Sequence, residues 1–348
     1  MKIAVIFGGI STERNVAITG GHSVIEALRG LGHEVVPCDP ALGADFKEKS
    51  ENLLSDMSKF NDIDEIKNFN PRNYINAVNS AEFDDIEAAF IVLHGKYGED
   101  GLIQSLLELR GIPYTGSNVK ASSLSCDKAA SKSSFASAGV LTPPWTVVNR
   151  EDIDNEGLVK DIRTQFGKEI VIKPNDQGST IGLTIVKGGN IDDIEQGLKL
   201  AAKYSHEILI EKFIAGRELT VGIVDGDALP VIEIEIDDGF YDYEHKYTKG
   251  KTNYICPAEL SEDITEFTQS MALAAYHALG CGGFGRVDFR LDDEGQPFCL
   301  EVNTIPGFTS QSLVPMAAAL AGIEFPELCE KLINIAILDF KKRNILIV

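Results

Sequence analysis

The chain of 348 residues carries 32 Lys and Arg against 53 Asp and Glu, so its formal net charge is −21. Binding to nucleic-acid phosphates requires a basic surface, and this balance therefore argues against a nucleic-acid partner. Hydrophobic residues make up 44% of the chain, an ordinary share for a globular protein. The length predicts two or three domains. No apolar run reaches the roughly 20 residues needed to span a bilayer, so we expect no membrane insertion.

The cysteines and the first residues bear on where the protein works. Six cysteines are dispersed along the chain without a CxxC pair. Reduced thiols are therefore favoured over a disulfide framework or a zinc site. Residues 1–9 form a short β-type run that ends in Gly-Gly, which is not the pattern of a signal peptide. We expect a cytoplasmic protein.

The N-terminal third reads as alternating strands and helices. Strands are predicted at 3–7, 33–38 and 88–93, with helices that end near residues 31 and 109. The polar stretch 46–83 has no clean period and is predicted to be helical or irregular. This alternation predicts a parallel sheet covered on both faces. Ligands bind where such strands end, which singles out the loops 8–13 and 94–101.

The rest of the chain divides into two further α/β regions. The second is predicted to contain helices at 125–138, 151–166 and 191–204, strands at 169–174, 182–187 and 207–213, and a loop at 139–144. The third is predicted to contain strands at 217–223 and 229–236, a long loop at 237–257, a helix, and a hairpin at 285–302.

The hairpin carries the most informative polar residues. A regular hairpin around its turn places Asp288 opposite Glu301, with Asn303 two residues further along. Strict alternation also puts Arg286 and Cys299 on this polar face, and it assigns the other face to Val287, Phe289, Leu291, Phe298, Leu300 and Val302. Two carboxylates and an amide oxygen suit Mg²⁺. The alternative is an ordinary hairpin with one solvated polar face.

Two segments could hold a nucleotide. Residues 170–183 form a strand, a loop of small residues and a second strand, and Lys173 lies at the end of the first strand. Backbone N–H groups in such loops can surround phosphates, although a plain flexible hairpin loop has the same composition. In residues 209–220, backbone groups could pair with an adenine edge and Glu218 could bind ribose hydroxyls. A solvated interdomain connector explains that segment equally well.

Three further features remain ambiguous from the residues alone. The loop 240–247 contains three tyrosines and is predicted to be a lid that excludes water, or else an interaction loop at an oligomer interface. Glu13 follows Ser11 and Thr12 and is explained structurally as an acidic residue in the first turn of a helix. His94 is isolated, and a lone histidine is more often a structural hydrogen-bond partner.

Taken together and in order, these residues resemble the D-alanine–D-alanine ligases of the ATP-grasp superfamily. The matching motifs are Gly-Gly-Ile-Ser-Thr-Glu-Arg-Asn-Val at 8–16, Leu-His-Gly-Lys-Tyr-Gly-Glu-Asp-Gly at 93–101, Tyr-Thr-Gly-Ser at 114–117, Lys-Pro with Gly-Ser-Thr-Ile-Gly at 173–182, Tyr-Asp-Tyr-Glu-His-Lys-Tyr at 241–247, Glu-Val-Asn-Thr-Ile-Pro-Gly-Phe-Thr at 301–309 and Ser-Gln-Ser-Leu-Val-Pro at 310–315. The resemblance covers nearly the whole chain and weakens only in 39–84.

The resemblance implies an α/β protein with an ATP-grasp fold in three domains. These would be an N-terminal Rossmann-like (pre-ATP-grasp) domain at 1–116, a central ATP-grasp domain at 117–214 and a C-terminal ATP-grasp domain at 215–348. The implied chemistry has two steps. The carboxylate of one D-alanine attacks the γ-phosphate of ATP to form an acyl phosphate, and the amine of a second D-alanine then displaces phosphate. The product serves peptidoglycan precursor synthesis.

The resemblance also implies roles for individual residues. The metal ligands would be Asp288, Glu301 and Asn303, holding two Mg²⁺ ions that Mn²⁺ could replace. The ATP-binding residues would be Lys128, Lys173, Glu211, Lys212, Phe213, Ile214, Glu218 and Lys246. The catalytic set would be Glu13, Ser179 and Tyr247, joined by hydrogen bonds, with Arg286 and the Gly307 backbone as oxyanion stabilisers. The substrate pocket would be formed by Glu13, Val16, His94, Ser312 and Leu313. Family habit suggests a homodimer.

Two positions bear on substrate choice. The family commonly has serine where this chain has Ala17, which would alter the wall around the first substrate. Relatives that make D-alanyl-D-lactate tend to lack a tyrosine at the position of Tyr247, so this residue favours a dipeptide product. A ligase for D-serine or D-lactate as second substrate stays open, as does a non-catalytic ATP-binding relative.

Overall fold

The computed structural model describes residues 1–55, 68–236 and 252–344. Its first sheet has three parallel strands, β1 (Lys2–Ile6), β2 (Glu34–Cys38) and β3 (Ala88–Ile91), in the order β2-β1-β3. Helix α1 (Arg14–Gly30) connects β1 to β2. Alternate residues of β1 enter two different apolar clusters. The sheet is therefore covered on both faces, which confirms the prediction.

Short helices surround this sheet. They are a 3₁₀ helix at Pro40–Asp45, α2 (Phe46–Ser55), α3 (Arg72–Val78), a 3₁₀ helix at Ala81–Phe83, and α4 (Leu102–Arg110). The rings of Phe46 and Phe83 meet edge to face at 5.8 Å. The described part of 46–83 is thus largely helical and packed onto the sheet, in agreement with the helical option.

The second sheet has four strands, each antiparallel to its neighbour. Its elements are α5 (Val119–Cys126), α6 (Lys128–Ser137), β4 (Trp145–Asn149), a 3₁₀ helix at Arg150–Asp152, α7 (Leu158–Phe166), β5 (Ile170–Pro174), β6 (Thr184–Val186), α8 (Ile191–Ala201) and β7 (Glu207–Lys212). The strand order is β4-β7-β5-β6.

Two expectations for this region were wrong, and one strand was missed. The single helix at 125–138 is two helices, because Asp127 leaves helical geometry and caps α6 by accepting a hydrogen bond from the Ala130 N–H at 2.9 Å. The helix at 151–166 is a 3₁₀ turn followed by α7. Strand β4 was not predicted: it is a half-exposed edge strand that directly follows two prolines.

The third sheet has six strands. Its elements are β8 (Arg217–Val224), β9 (Asp227–Ala228), β10 (Ile232–Ile236), β11 (Thr252–Ile255), α9 (Glu262–Ala278), β12 (Phe284–Leu291), β13 (Pro297–Asn303), α10 (Leu313–Leu320) and α11 (Phe325–Asn344). The order is β11-β10-β8-β12-β13, and β9 pairs with β8. The last part of the predicted loop 237–257 is strand β11, a correction, and residues 237–251 lie outside the described residues.

The three sheets are packed unequally. The first and third sheets contribute side chains to one apolar cluster, in which the Phe308 ring lies 5.3 Å from Phe90 and 5.3 Å from Phe284. The four-stranded sheet has an apolar cluster of its own, formed with α7 and α8. Phe135 of α6 packs in the cluster of the third sheet. Within the three described ranges, no helix combines the length and the apolar content needed to cross a membrane.

Candidate functional site

A cleft opens between the four-stranded and six-stranded sheets. Its walls include, among others, the nucleotide candidates Lys128, Lys173, Glu211, Lys212, Phe213, Ile214 and Glu218, together with Ser179, Asp288, Leu300 and Glu301. All the candidate ATP-binding residues that the structure describes therefore line one cleft. Lys246 lies outside the described residues.

The hairpin β12–β13 brings its two carboxylates together. Asp288 pairs with Glu301 and Arg286 with Asn303, which confirms the predicted register. The predicted alternation was wrong beyond this point, because a β-bulge shifts the register between Asp288 and Phe289. Leu300 is the extra residue and lines the cleft beside Glu301, whereas Cys299 is buried in the apolar cluster.

Two basic side chains compensate the paired carboxylates. Arg286 donates from Nε to Asp288 Oδ1 at 2.8 Å and from Nη2 to Oδ2 at 2.7 Å. Lys128 Nζ lies 3.1 Å from Glu301 Oε2 and donates to the Gln177 carbonyl at 2.8 Å. Burial opposes the charge of Lys128, but Glu301 outweighs burial and raises the pKa of this lysine. Each carboxylate therefore has its own cation at the edge of the cleft.

These donors fit a hard divalent cation. Asp288 and Glu301 supply carboxylate oxygens, and the amide oxygen of Asn303 accepts one hydrogen bond, from the Ile305 N–H at 3.0 Å, which leaves a lone pair. Across the described ranges, no group of three or more His, Cys, Asp and Glu side chains could hold a metal. An oxygen set of two carboxylates and one amide matches Mg²⁺, which keeps water and phosphate oxygens as further ligands.

Glu211 lies at the centre of a buried charge cluster. Its side chain is 2% exposed, Lys173 Nζ lies 2.6 Å from Oε2, and Lys132 Nζ pairs with Oε1. Burial raises the pKa of Glu211, but the two lysines outweigh it and hold this pKa below its ordinary value. Sequence reasoning assigned Glu211 to an adenine-binding segment and missed Lys132. The available signal was its spacing of four residues from Lys128, which puts both lysines on one face of α6.

The segment after β7 forms the far end of the cleft. The Lys212 N–H donates to the Pro144 carbonyl at 2.9 Å and the Phe213 N–H to the Glu169 carbonyl at 3.1 Å. The Arg290 guanidinium lies 5.9 Å from the centre of the Phe213 ring, and it donates to the Ile214 carbonyl at 3.2 Å. Arg290 Nη1 also lies 3.4 Å from Glu218 Oε2. Arg290, which was not among the candidates, therefore fixes this segment.

Glu13 connects the N-terminal region to the cleft. It occupies the N-cap position of α1 but makes no side-chain capping bond, so the proposed structural explanation, an acid in the first turn, was wrong. Its carboxylate instead accepts a hydrogen bond from the Ser179 hydroxyl. Added Cβ atoms at Gly95 and Gly178 would lie 3.3 Å and 3.7 Å from Glu13 Oε2. The carboxylate thus lies among backbone that approaches it closely, and Tyr247 lies outside the described residues.

The loop that carries Ser179 has unusual backbone geometry. Ser179 and Thr180 have φ angles of +51° and +62°, in the left-handed region that side chains other than glycine rarely adopt. Gly182 follows with φ +72°, and a Cβ there would lie 2.9 Å from Pro174 Cγ. Strained backbone of this kind is concentrated at functional sites.

His94 is buried beside this region. Its Nδ1 lies 4.0 Å from Glu99 Oε1, and its Nε2 has no hydrogen-bond partner among the described residues. Burial lowers the pKa of His94, but the carboxylate of Glu99, with a smaller effect from Glu13, outweighs burial and raises it above its usual value. His94 is therefore a buried imidazole whose pKa is set by burial and by the neighbouring carboxylates of Glu99 and Glu13.

The remaining substrate candidates lie near the start of α10. Ser312 is the N-cap residue, Leu313 is the first residue of the helix, and the Ser312 hydroxyl accepts the Thr309 N–H at 2.9 Å. A Cβ at Gly307 would lie 3.6 Å from Ser312 Oγ. The structure therefore brings Gly307 and Ser312 together. Val16 lies in the first turn of α1, close in sequence to Glu13.

Comparison with known proteins gives one consistent result. Residues 2–117 match the family described as D-ala D-ala ligase N-terminus, and residues 135–334 match D-ala D-ala ligase C-terminus. The chain is 43% identical to the D-alanine–D-alanine ligase of Methylacidiphilum infernorum, over 97% of this chain and 96% of that protein. The corresponding enzyme of Magnetococcus marinus is 42% identical over 96% of both chains.

Solved structures agree with the sequence relatives. A crystal structure of D-alanine–D-alanine ligase from Bacillus anthracis superposes with a TM-score of 0.77 at 34% identity, covering 99% of this chain and 100% of that one. A structure of the Bacillus anthracis enzyme complexed with ATP gives 0.76 at 32% identity over the same shares. With matches to both family halves and relatives above 40% identity over nearly its whole length, the chain belongs to the D-alanine–D-alanine ligase family.

Proposed function

We propose that the protein joins two D-alanine molecules into D-alanyl-D-alanine at the expense of ATP, for peptidoglycan precursor synthesis. The observation that carries the proposal is the hydrogen bond from Ser179 to Glu13. It joins the wall of the cleft that contains the nucleotide candidates to an acidic group of the N-terminal region. An amino acid whose ammonium is held at Glu13 can therefore direct its carboxylate towards the phosphate end of the cleft.

The reaction has two balanced steps. A carboxylate oxygen of the first D-alanine forms a bond to the γ-phosphorus of ATP, and the bond to the ADP oxygen breaks. The amine nitrogen of the second D-alanine then attacks the acyl carbon, loses a proton, and phosphate leaves. Positioning and charge stabilisation account for most of the rate of phosphoryl transfer, and the cleft offers Lys128 and Lys173 for that purpose.

The nucleotide end of the cleft suggests an orientation for ATP. Lys128 and Lys173 contact phosphates, the backbone of 211–214 borders the adenine, and Glu218 lies within reach of the ribose. The support is that these residues share one cleft. Lys246 completes the phosphate contacts on the strength of the family resemblance.

Two Mg²⁺ ions, replaceable by Mn²⁺, belong to the proposed site. Asp288, Glu301 and Asn303 would hold them, and the ions would supply neutralisation of phosphate charge. Arg286 and Lys128, which compensate the carboxylates here, hold the ligand oxygens in place. Family resemblance assigns Arg286 and the Gly307 backbone to the developing oxyanion as well.

The amino-acid pockets are assigned by the family resemblance. Glu13 holds the first ammonium, with Val16 and His94 beside it, and Ser312 and Leu313 receive the carboxylate of the second substrate. Ser179 keeps Glu13 in place. Tyr247 completes this set by resemblance and favours a dipeptide product.

The domain division, assembly and location complete the proposal. The domains are 1–116, 117–214 and 215–348, in line with one sheet in each. Homodimer formation follows family habit. Cytoplasmic location is supported by six free cysteines, three of them buried, and by the use of ATP.

Phosphate release from ATP tests the proposal directly. The purified protein is incubated with Mg²⁺ and ATP, first with D-alanine alone and then with D-alanine plus D-serine or D-lactate, and products are identified by mass. D-alanyl-D-alanine from D-alanine alone is the expected result. Release only with a mixed pair would overturn the assignment of the second substrate, and no release with any pair would overturn the ligase assignment.

A further inference from the structure

Lys132 is a buried cation that the proposed reaction does not use. Its side chain is 0% exposed, it pairs with Glu211 Oε1, and it donates to Thr142 Oγ1 at 2.5 Å. It is absent from the walls of the cleft. A fully buried lysine is rare, because an ammonium group loses its hydration on burial.

The three charges form a row that runs from the cleft into the protein. Lys173 lines the cleft, with its Nζ 2.6 Å from one oxygen of Glu211. Lys132 contacts the other oxygen from the side of α6. Two ammonium groups and one carboxylate leave the row with one net positive charge at the cleft. Without Lys132 the pair of Lys173 and Glu211 would be neutral.

Among the ion pairs of the described residues, Glu211 is the acidic partner of Lys132. Cys299, the other titratable group near Lys132, is buried, and burial raises the pKa of its thiol, so it stays uncharged. Burial and the nearby Lys173 lower the pKa of Lys132, whereas Glu211 opposes them. The charge of Lys132 therefore depends on Glu211, and the effect of Glu211 on Lys173 depends on Lys132.

We propose that Lys132 is a positioning residue that acts through Glu211. It neutralises Glu211 from the core side, so that Lys173 presents a full positive charge to the polyphosphate of the nucleotide. The inference rests on the proposed function, because that function places a nucleotide in the cleft. It extends that function, because Lys132, which does not contact the ligand, would set the preference of the cleft for anionic ligands.

Binding of a charged and an uncharged ligand tests this role. In Lys132→Met we expect the Kd of ATP to rise roughly tenfold, while the Kd of adenosine rises less than about threefold, because only ATP carries phosphate charge. Both constants are measured by calorimetry in the presence of Mg²⁺. Equal weakening of the two ligands would indicate a purely structural role and would overturn the inference.

A compensating variant makes the test independent of packing. Lys132→Met combined with Glu211→Gln restores one net positive charge, that of Lys173, and should return the Kd of ATP to within about threefold of wild type. In the double variant both members of the buried pair, Lys132 and Glu211, are uncharged. The double variant therefore remains informative if the single variant unfolds. A double variant whose Kd for ATP stays more than about threefold above that of wild type would overturn the inference.

Two controls separate charge from other effects. Thr142→Val removes the hydrogen bond of Lys132 without changing its charge, and Lys199→Met removes an exposed lysine that pairs with Glu195 at 3.8 Å. Neither should alter the preference for ATP over adenosine. The ligation assay on the wild type tests the proposed function separately. Unchanged ATP affinity in Lys132→Met would overturn this inference even if the wild type makes D-alanyl-D-alanine.

Discussion

Removal of the central carboxylate in the buried charge cluster should destabilise the protein in a pH-dependent way. Glu211→Gln keeps the shape of the side chain but leaves Lys132, which is 0% exposed, without its counter-charge. Breaking a buried ion pair from one side typically costs about 3–5 kcal/mol. Lys132 can avoid that cost by releasing its proton, which at pH 7 costs about 1.4 kcal/mol for each unit below its usual pKa of about 10.4. Both routes give a loss of about 3–5 kcal/mol in the free energy of unfolding at pH 7.

The direction in which the stability of Glu211→Gln changes with pH follows from the protonation of Lys132. If Lys132 is neutral in the folded variant and protonated in the unfolded chain, the unfolded state binds one more proton. Stability then rises with pH, by about 1.4 kcal/mol per unit, until the usual pKa of lysine is reached. The deficit relative to wild type should therefore shrink from about 4–5 kcal/mol at pH 7 to about 2 kcal/mol at pH 9.

The chain offers a convenient probe for this measurement. Its single tryptophan, Trp145, pairs directly across the sheet from Glu211, so its fluorescence reports on the affected strands during urea unfolding. The matched control is Glu195→Gln, which neutralises an exposed carboxylate whose side chain is 48% exposed. A Glu211→Gln variant within about 1 kcal/mol of wild type, or a deficit that is the same at pH 7 and pH 9, would refute the reasoning.

Three further predictions concern the site and the thiols. Glu301→Gln removes one proposed metal ligand and the partner of Lys128. Ligase turnover should therefore fall roughly 100-fold or more, while the melting temperature stays close to that of wild type. Near-normal turnover in the folded variant would contradict the metal assignment. Ser179→Ala removes the hydrogen bond to the Glu13 carboxylate. The KM for D-alanine should rise roughly tenfold or more, whereas the Kd of ATP should change less than about threefold. An equal effect on both ligands would count against separate sites. Iodoacetamide should modify the half-buried Cys256 before the buried Cys38, Cys299 and Cys329, because only accessible thiolates react and burial raises the pKa of the buried thiols, that of Cys329 to about 12. Peptide mass spectrometry gives the order, and early modification of a buried thiol would contradict it.

The hairpin at the site illustrates how far a pattern of residues can predict structure. The pairing of Asp288 with Glu301 was predictable, because a turn at 292–296 restricts which residues can meet. The bulge at Leu300 was not, because strict alternation is the only rule that the residues themselves suggest, and an extra residue reverses it. The consequence is local but functional, since the bulge puts both Leu300 and Glu301 on the cleft.

Other differences have equally specific causes. A single Asp127 ends one helix and caps the next, and a capping residue within a helical pattern is not distinguishable from an ordinary polar position. Strand β4 is an edge strand with half-exposed residues, so its side chains do not alternate clearly. Lys132 was missed because a lysine on a helix is normally solvated, and its spacing of four residues from Lys128 becomes informative only once the packing against Glu211 is seen.

The separation of the apolar clusters has a consequence for motion and unfolding. The four-stranded sheet completes its own core with α7 and α8, whereas the first and third sheets share one. Contacts such as those of Ser179 with Glu13 and Asn175 with Asp127, which tie this sheet to the rest, are polar. The four-stranded sheet therefore completes a hydrophobic core without the other two sheets, and we expect its amide hydrogens to exchange as a separate cooperative unit.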